Sequence, residues 1–303
     1  MVNFVKIGIV GLGKMGFNLG RNMIQKGHAV VGYDVSREMT DKLEETGGIG
    51  CNSLEELMGQ LTTTPRVVWL MVPSGEMVDS VIARVQPYLS SGDIIIDGGN
   101  SFYKDSVRRS EQLAQHGIYF LDIGTSGGME GALNGVCLMI GGEKAAFSVI
   151  ESLARDISQQ DGYIYTGMSG SGHFLKMIHN GIEYGMMQAI GEGFEILEKS
   201  MYSYDYEQVS RTWNNGSVIR SWLMELMEQA FAEDAKLSQI KGIMHSSGEG
   251  QWTAETAMEL QVAAPVITMS LLMRYRSLQE DTFHGKVVAA LRNQFGGHTV
   301  ERV

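Results

Sequence analysis

The first half of the chain repeats one unit: a short run rich in Val and Ile, then a stretch whose apolar residues recur at helical spacing. The runs cover residues 6–11, 29–34, 67–72, 94–97 and 119–123, with a further apolar run at 136–140. Strands buried on both faces read as continuous apolar runs, and their alternation with helices predicts a parallel sheet covered on either side. The expected fold class is α/β, a Rossmann-type doubly wound N-terminal domain. From about Ser169 these runs stop. Segments rich in Met, Leu, Glu and Ala follow, with Pro265 the only proline of that half, so an all-α C-terminal domain is expected. A chain of 303 residues is long enough for two such domains, and the boundary is set between residues 168 and 169. The 20 methionines are read as core filler, the usual role of Met at helical spacing.

With 24 Lys and Arg against 35 Asp and Glu, the formal charge is -11 and no basic run interrupts it. That balance argues against nucleic acid and anionic membranes as partners; an anionic ligand would need a focused site. Two cysteines, Cys51 and Cys137, give neither a disulfide framework nor metal-ligand spacing, so a reducing compartment and no metal are expected. The opening residues lead directly into an apolar strand pattern, and eighteen apolar residues never run together. A soluble, cytoplasmic protein is expected.

Gly11-Leu12-Gly13-Lys14-Met15-Gly16 follows the first run and opens a helical stretch, which is the context that gives G-x-G-x-x-G its meaning. Gly11 permits a tight turn, Gly13 lets backbone approach a pyrophosphate, and Gly16 lets the helix pack on the sheet, with the anion at the helix N-terminus. The second run closes on Gly32-Tyr33-Asp34, about twenty residues downstream, where a ribose-binding carboxylate belongs. Asp34 would accept both ribose hydroxyls and repel a 2′-phosphate, so NAD is expected over NADP; Arg37, in the same loop, is the residue that could reverse the preference. Residues 1–168 are thus expected to bind NAD.

The stretch Gly172-His173-Phe174-Leu175-Lys176-Met177-Ile178-His179-Asn180-Gly181-Ile182-Glu183-Tyr184-Gly185 poses a different problem. At about 100° per residue a helix places Lys176, His179, Asn180, Glu183 and Tyr184 within an arc of roughly 140°, with Phe174, Leu175, Ile178 and Ile182 opposite. An ordinary solvated stripe is built from interchangeable Lys, Glu and Gln, whereas these are five different chemistries flanked by glycines that weaken a helix. The pattern suits a site. Two further segments, Ile96-Asp97-Gly98-Gly99-Asn100-Ser101 and Gly124-Thr125-Ser126-Gly127-Gly128-Met129-Glu130-Gly131-Ala132, close strands where ligands of open α/β sheets bind. Taken alone, each could equally be a turn with an Asn or Ser cap.

Together these segments resemble the decarboxylating 6-phosphogluconate dehydrogenases, specifically their short, NAD-preferring form within the β-hydroxyacid dehydrogenases. The resemblance rests on G-L-G-K-M-G, I-D-G-G-N-S, S-G-G at 126–128, the Lys176 helix motif and R-N-Q-F-G-G-H at 292–298, and covers nearly the whole chain. It implies oxidation and decarboxylation of 6-phosphogluconate, a step of the pentose phosphate pathway and of gluconate metabolism. Lys176 would accept the proton of the 3-hydroxyl and later return it to the carbonyl oxygen, with Glu183 protonating the carbon that loses carbon dioxide and Asn180 beside them. Asn100, Ser126, Gly127, Gly128 and His179 would hold the carboxylate and hydroxyls, and Tyr184, Arg274, Arg292 and His298 the remainder of the substrate. Gly11, Leu12, Gly13, Lys14, Met15, Gly16, Asp34, Val72 and Asn100 would bind the cofactor. The chemistry asks for a lysine that is substantially neutral and a glutamate that keeps its proton, opposite demands on one helix.

In the family the Arg and His of the tail reach a neighbouring subunit's pocket, which implies a homodimer at least, with a homotetramer as the larger alternative. Residues 169–303 would then be a substrate and oligomerisation domain with a C-terminal tail. The segment Ser247-Gly248-Glu249-Gly250-Gln251-Trp252-Thr253 departs from the longer members, which carry a Lys and a Thr there for the substrate phosphate. That departure keeps open a dehydrogenase for an unphosphorylated β-hydroxy acid.

Overall fold

The computed structural model describes residues 5–296 and 298–301, and the chain divides into two compact units, 1–180 and 181–303. The first carries an eight-stranded sheet: β1 Lys6–Val10, β2 Ala29–Tyr33, β3 Ile49–Cys51, β4 Val67–Leu70, β5 Ile94–Asp97, β6 Tyr119–Ser126, β7 Val136–Gly142 and β8 Ser158–Gly167. Its spatial order is β3-β2-β1-β4-β5-β6-β7-β8, parallel from β3 to β6. The winding reverses between β1 and β4, which opens a crevice at their carboxyl ends.

Helices cover both faces. On one, Ile7, Ile9, Trp69, Ile94, Ile96, Leu121 and Ile123 pack with Leu19 and Met23 of α1 (Lys14–Gln25) and Phe147, Ile150 and Leu153 of α7 (Lys144–Ile157). On the other, Val31, Val68, Leu70, Ile95 and Phe120 pack with α3 (Leu54–Gln60), α4 (Glu76–Val85) and α5 (Tyr103–Ala114). Successive side chains of a strand point to opposite faces, so apolar residues at every position are what a doubly covered sheet requires. Two short helices, α2 (Arg37–Glu45) and α6 (Gly128–Asn134), complete the unit.

The sheet differs from the sequence expectation in three ways. Strand β3 has three residues, too few to register as an apolar run. Strand β8 is polar along much of its length because it is the sheet's edge and largely open to water. Strand β7 runs antiparallel to β6. A parallel return needs a crossover of about a dozen residues or more, whereas only α6 and its flanking glycines separate the two strands.

Helix α8, Ser171–Lys199, begins in the first unit and continues into the second. The second unit is otherwise helical: α9 Tyr206–Asn214, α10 Trp222–Glu233, α11 Gly248–Glu259, α12 Pro265–Ser277 and α13 Phe283–Gly296. Phe194, Tyr206, Met224 and Phe231 form one of its cores. The methionines do not all serve as filler. Met186, Met187, Met201, Met244, Met258, Met269 and Met273 are exposed, as are Ile182, Ile196, Val266, Phe283 and Leu291.

The two cysteines are in contrasting environments: Cys137 is exposed, while burial, with the nearby carboxylates of Glu56 and Glu44, pushes the Cys51 thiol up to about 11. A thiol reacts as its thiolate. At pH 8 a thiol reagent should therefore modify Cys137 in the folded protein and leave Cys51 untouched until denaturant is added. Peptide mass spectrometry reads both, and rapid labelling of Cys51 without denaturant would contradict the packing described.

Candidate active site

The crevice at the carboxyl ends of β1, β2, β4, β5 and β6 is shaped by glycine. Gly11 adopts φ +96°, and a side chain there would reach within 2.5 Å of the Met71 carbonyl oxygen, so the turn after β1 passes directly over the end of β4. Gly16 faces the Gly11 carbonyl at a separation that admits no Cβ. Gly13 caps α1, no side chain caps it in turn, and the space beyond its Cα is open. First-turn amides of α1 thus face free volume, the arrangement that takes an anion. Lys14 is exposed beside this opening and Met15 half-buried.

Asp34 lies just past β2 and accepts hydrogen bonds from the Leu12 N–H at 2.6 Å and the Ser36 N–H at 2.8 Å. One carboxylate joins the glycine loop to the loop after β2. The Leu12 side chain is in the core and its amide is taken by Asp34, so Leu12 supports the loop from beneath. Arg37 is bonded to Asp41 at 3.0 Å and to the Asn52 side chain. The open glycine loop, the bare helix start and Asp34 together fit an adenine dinucleotide.

After β4, Val72 borders the Gly98-Gly99 turn that follows β5. Asn100 is exposed at the tip of that turn. The Thr125 hydroxyl donates to the Gly98 carbonyl at 3.3 Å, which joins this loop to the end of β6. Ser126 closes β6, followed by Gly127 and Gly128 at φ +122° and +60°.

Helix α8 carries the polar stripe expected to be reactive. Asp122, buried on β6, accepts the N–H groups of Gly170 at 2.7 Å and His173 at 2.8 Å and so anchors the helix start. Burial pushes its carboxyl above the ordinary value, against the lowering effect of His173 and these amides. Gly124, Gly141 and Gly172 let the helix lie against β6 and β7: a Cβ on Gly124 would overlap that of Lys176, and one on Gly141 would come within 2.7 Å of the Gly172 nitrogen. Lys176 is 6% exposed and its Nζ donates to Asn180 Oδ1 at 2.8 Å. His179 Nδ1 lies 2.9 Å from the same oxygen, and its Nε2 lies 3.3 Å from Ser126 Oγ. Since Oδ1 only accepts, neutral His179 carries its proton on Nδ1 and takes one from Ser126 at Nε2. Lys176, Asn180, His179 and Ser126 are thus one connected group.

The second unit contains a separate cluster. Tyr184 is buried, its hydroxyl lies 3.1 Å from Ser247 Oγ and accepts the Ser247 N–H at 3.1 Å, and the Arg274 guanidinium lies 3.5 Å from its ring centroid. Gly250 packs against the face of the same ring. Arg274 also donates to the His245 carbonyl at 3.0 Å. Glu249 is 6% exposed, with one carboxylate oxygen lacking a hydrogen-bond partner among the described residues. Glu183 is half-buried on α8, while Arg292 is exposed on α13 and His298 beyond it. No hydrogen bond or ion pair joins Arg292 or the His298 side chain to the Tyr184 cluster among the described residues.

Residue-type reasoning missed Asp97, Arg109, Asp122 and Thr125, which hold the site's loops and helix. Arg109 had one signal: it falls on the inward stripe of α5 with Ser106, Ser110 and Leu113, where a charge needs a partner. Among the described residues no group of three His, Cys, Asp or Glu could hold a metal ion, and no helix is long and apolar enough to cross a membrane.

A doubly wound sheet with this loop, followed in the chain by a helical domain, defines the class of NAD(P)-binding, Rossmann-type dehydrogenases. Residues 6–168 match the NAD binding domain of 6-phosphogluconate dehydrogenase, and residues 172–284 match its C-terminal domain. The chain belongs to the 6-phosphogluconate dehydrogenase family. It is 61% identical over 298 residues to Bacillus subtilis YqeC, named as a candidate 6-phosphogluconate dehydrogenase, covering 98% of this chain and 100% of that one. It is 40% identical over 300 residues to the NAD(+)-dependent, decarboxylating 6-phosphogluconate dehydrogenase of Haloferax volcanii, covering 98% and 99%. Among solved structures it superposes on Plasmodium falciparum 6-phosphogluconate dehydrogenase, described with NADP+ and with 6-phosphogluconate, at TM-score 0.83 and 31% identity, covering 98% of this chain and 66% of the longer one.

The closeness of α8 to the sheet can be tested without turnover. Gly124→Ala should force Lys176 outward and destabilise the fold by about 1–3 kcal/mol, the usual cost of overpacking a filled contact. Urea unfolding measures this, and an unchanged midpoint would show that the contact can relax.

Proposed function

We propose that the chain catalyses oxidative decarboxylation of 6-phospho-D-gluconate to D-ribulose 5-phosphate and carbon dioxide, with NAD as oxidant. The observation that carries this reading is the buried Lys176, held on Asn180 beside the His179–Ser126 pair at the carboxyl end of β6. Lys176, as the free amine, takes the proton of the substrate's 3-hydroxyl. A bound nicotinamide would supply the acceptor for the hydride that leaves C3. The product of this step is a 3-keto acid whose carbonyl can hold the electron pair left when the bond between C1 and C2 breaks. Lys176, now an ammonium, returns its proton to that carbonyl oxygen, and an enediol and carbon dioxide result. Glu183, two turns along the same helix, protonates C2 as the enediol becomes the ketopentose. Ser126, Gly127, Gly128, His179 and Asn100 hold the carboxylate and hydroxyls, while Tyr184, Arg274 and, from a second copy, Arg292 and His298 take the phosphate end.

NAD is preferred in this reading because Asp34 would repel a 2′-phosphate, while Arg37 is drawn toward Asp41 and Asn52. Gly11, Gly13, Lys14, Met15, Gly16 and Val72 line the cofactor's path, with Leu12 buttressing the loop. Residues 1–168 form the cofactor domain and 169–303 the substrate and oligomerisation domain. A homodimer at least is supported by the apolar side chains that the second unit exposes.

One observation favours a second reading. Glu249 places a buried, unpartnered carboxylate oxygen in the segment where longer family members carry phosphate-binding residues. An unphosphorylated β-hydroxy acid would not meet that charge.

Absorbance of reduced nicotinamide, with carbon dioxide trapped in parallel, separates the two. The proposal expects one carbon dioxide per nicotinamide reduced, faster turnover with NAD than NADP, and saturation by 6-phosphogluconate but not by gluconate or 3-hydroxyisobutyrate. Reduction without carbon dioxide would favour the second reading. Lys176→Ala should lower turnover by about 10²–10⁴-fold or more, and normal turnover by that variant would sink the mechanism. Asp34→Ala should narrow the NAD to NADP preference measured in the same assay.

A further inference from the structure

We propose that Arg109 is a positioning residue for this reaction, tying together the two loops that border the nicotinamide end of the crevice. The proposal rests on the reading of the site as a dehydrogenase. Arg109 lies on α5 and is only 1% exposed. Its guanidinium makes hydrogen bonds to three residues in two separate segments, the start of α4 and the end of β5. Nε and Nη2 donate to the two carboxylate oxygens of Asp79 on α4, at 2.8 and 3.3 Å. Nη2 also donates to the Gly75 carbonyl at 2.9 Å, where the loop after β4 turns into α4 at φ +87°. Nη1 donates to Asp97 at 3.2 Å, at the end of β5.

Asp97 is the hub of the next loop. Its carboxylate, also 1% exposed, accepts the Gly99 N–H at 3.2 Å and the Ser101 hydroxyl at 2.7 Å, so the 98–101 turn wraps around it and presents Asn100 outward. Gly98 is bound on both sides, by its own N–H to the Leu70 carbonyl at 2.9 Å and through its carbonyl to Thr125. An unpaired carboxylate in this position would be driven to protonate or to turn toward water, and the turn would open with it. The Arg109 charge prevents this. Because the same planar group grips Gly75 and Asp79, it also sets the spacing between the loops after β4 and β5, which carry Val72 and Asn100. Arg108 shares Asp79 at 3.0 Å, and the Arg109 bond is the main reason that carboxyl lies below its ordinary range. A lysine offers one point of charge and cannot hold three acceptors in two segments at once.

The consequence is a division of labour in the cofactor site. The adenosine half depends on Asp34 and the glycine loop, which Arg109 does not touch. The reacting half depends on the loops it holds.

The test compares Arg109→Lys with the wild type in two measurements: steady-state kinetics with NAD and 6-phosphogluconate, and calorimetric binding of ADP-ribose, which carries only the adenosine and pyrophosphate portion. The expected result is a fall in kcat and a rise in KM for 6-phosphogluconate that together lower kcat/KM by at least about tenfold, since small displacements of reacting groups cost that much or more. ADP-ribose affinity should stay within about twofold. Free guanidinium ion added to Arg109→Ala should restore part of the loss, and equal sodium chloride should not. Unchanged kinetics in Arg109→Lys would overturn the proposal, and so would an equal loss of ADP-ribose binding, which would mark Arg109 as merely structural. Should Arg109→Lys fail to fold, Asp79→Asn loosens the same fork from its more exposed side. It should lower kcat/KM about threefold with ADP-ribose binding intact, and wild-type kinetics there would equally overturn the idea. Wild-type protein that turns over no 6-phosphogluconate would sink the functional reading instead, and the positioning role would then be read from Arg109→Lys weakening NAD binding while sparing ADP-ribose.

Discussion

The site depends on how closely α8 can lie against β6 and β7. Three glycines, at 124, 141 and 172, remove the side chains that would hold the helix off the sheet. Asp122 then fixes where the helix begins, by accepting two backbone N–H groups ahead of its first full turn. A buried carboxylate is costly, yet here it faces the positive end of a helix dipole and satisfied donors, the setting in which that cost is smallest. Lys176, one turn further on, inherits its position from this contact. A larger residue at 124 or 172 would move the amine as surely as a change to the lysine itself.

The same economy of side chains shapes the rest of the crevice. Gly11 passes over the Met71 carbonyl, and Gly98 lies against the Trp69 indole, whose buried Nε1 has no hydrogen-bond partner among the described residues. Packing elsewhere in the unit is conventional: alternate faces of every central strand are apolar and covered. Among the polar groups that remain inside, Asp97, Arg109, Asp122 and His173 hold loops and helix ends, and each makes a hydrogen bond.

Much of this was legible in the sequence because it is local. The strand-loop-helix around Gly11, the acid at Asp34 and the stripe from Lys176 to Tyr184 can be read within a window of about twenty residues, since backbone requirements and helical period write themselves into neighbouring positions. What escaped is non-local. The antiparallel turn of β7 follows from a connection length, and β8 is an edge whose polarity hides it. Arg109 acts on Asp97 and Gly75, residues that only the folded sheet brings together. The segment 247–253 shows the limit most clearly: Glu249 could be identified as a departure from the longer family members, but its burial and its unpartnered oxygen are properties of the fold.

Helix α8 is amphipathic in the opposite sense to a surface helix. Its chemically diverse residues, Lys176, Asn180 and Tyr184, are buried, and Leu175, Ile182 and Met186 are exposed. Turning a polar stripe inward is tolerable when each group finds a partner, as Lys176 does in Asn180 and Tyr184 in Ser247. Turning an apolar stripe outward has no such remedy within one chain. The exposed stripe adds to the apolar side chains that α11, α12 and α13 also show to water, including Met258, Val266, Met269, Phe283 and Leu291. Apolar surface of this kind is where partners bind, and methionine's flexible side chain fits an interface as readily as a core. On the proposed reading α8 would carry both the chemistry and the assembly, and the integrity of the site would be tied to the association of subunits.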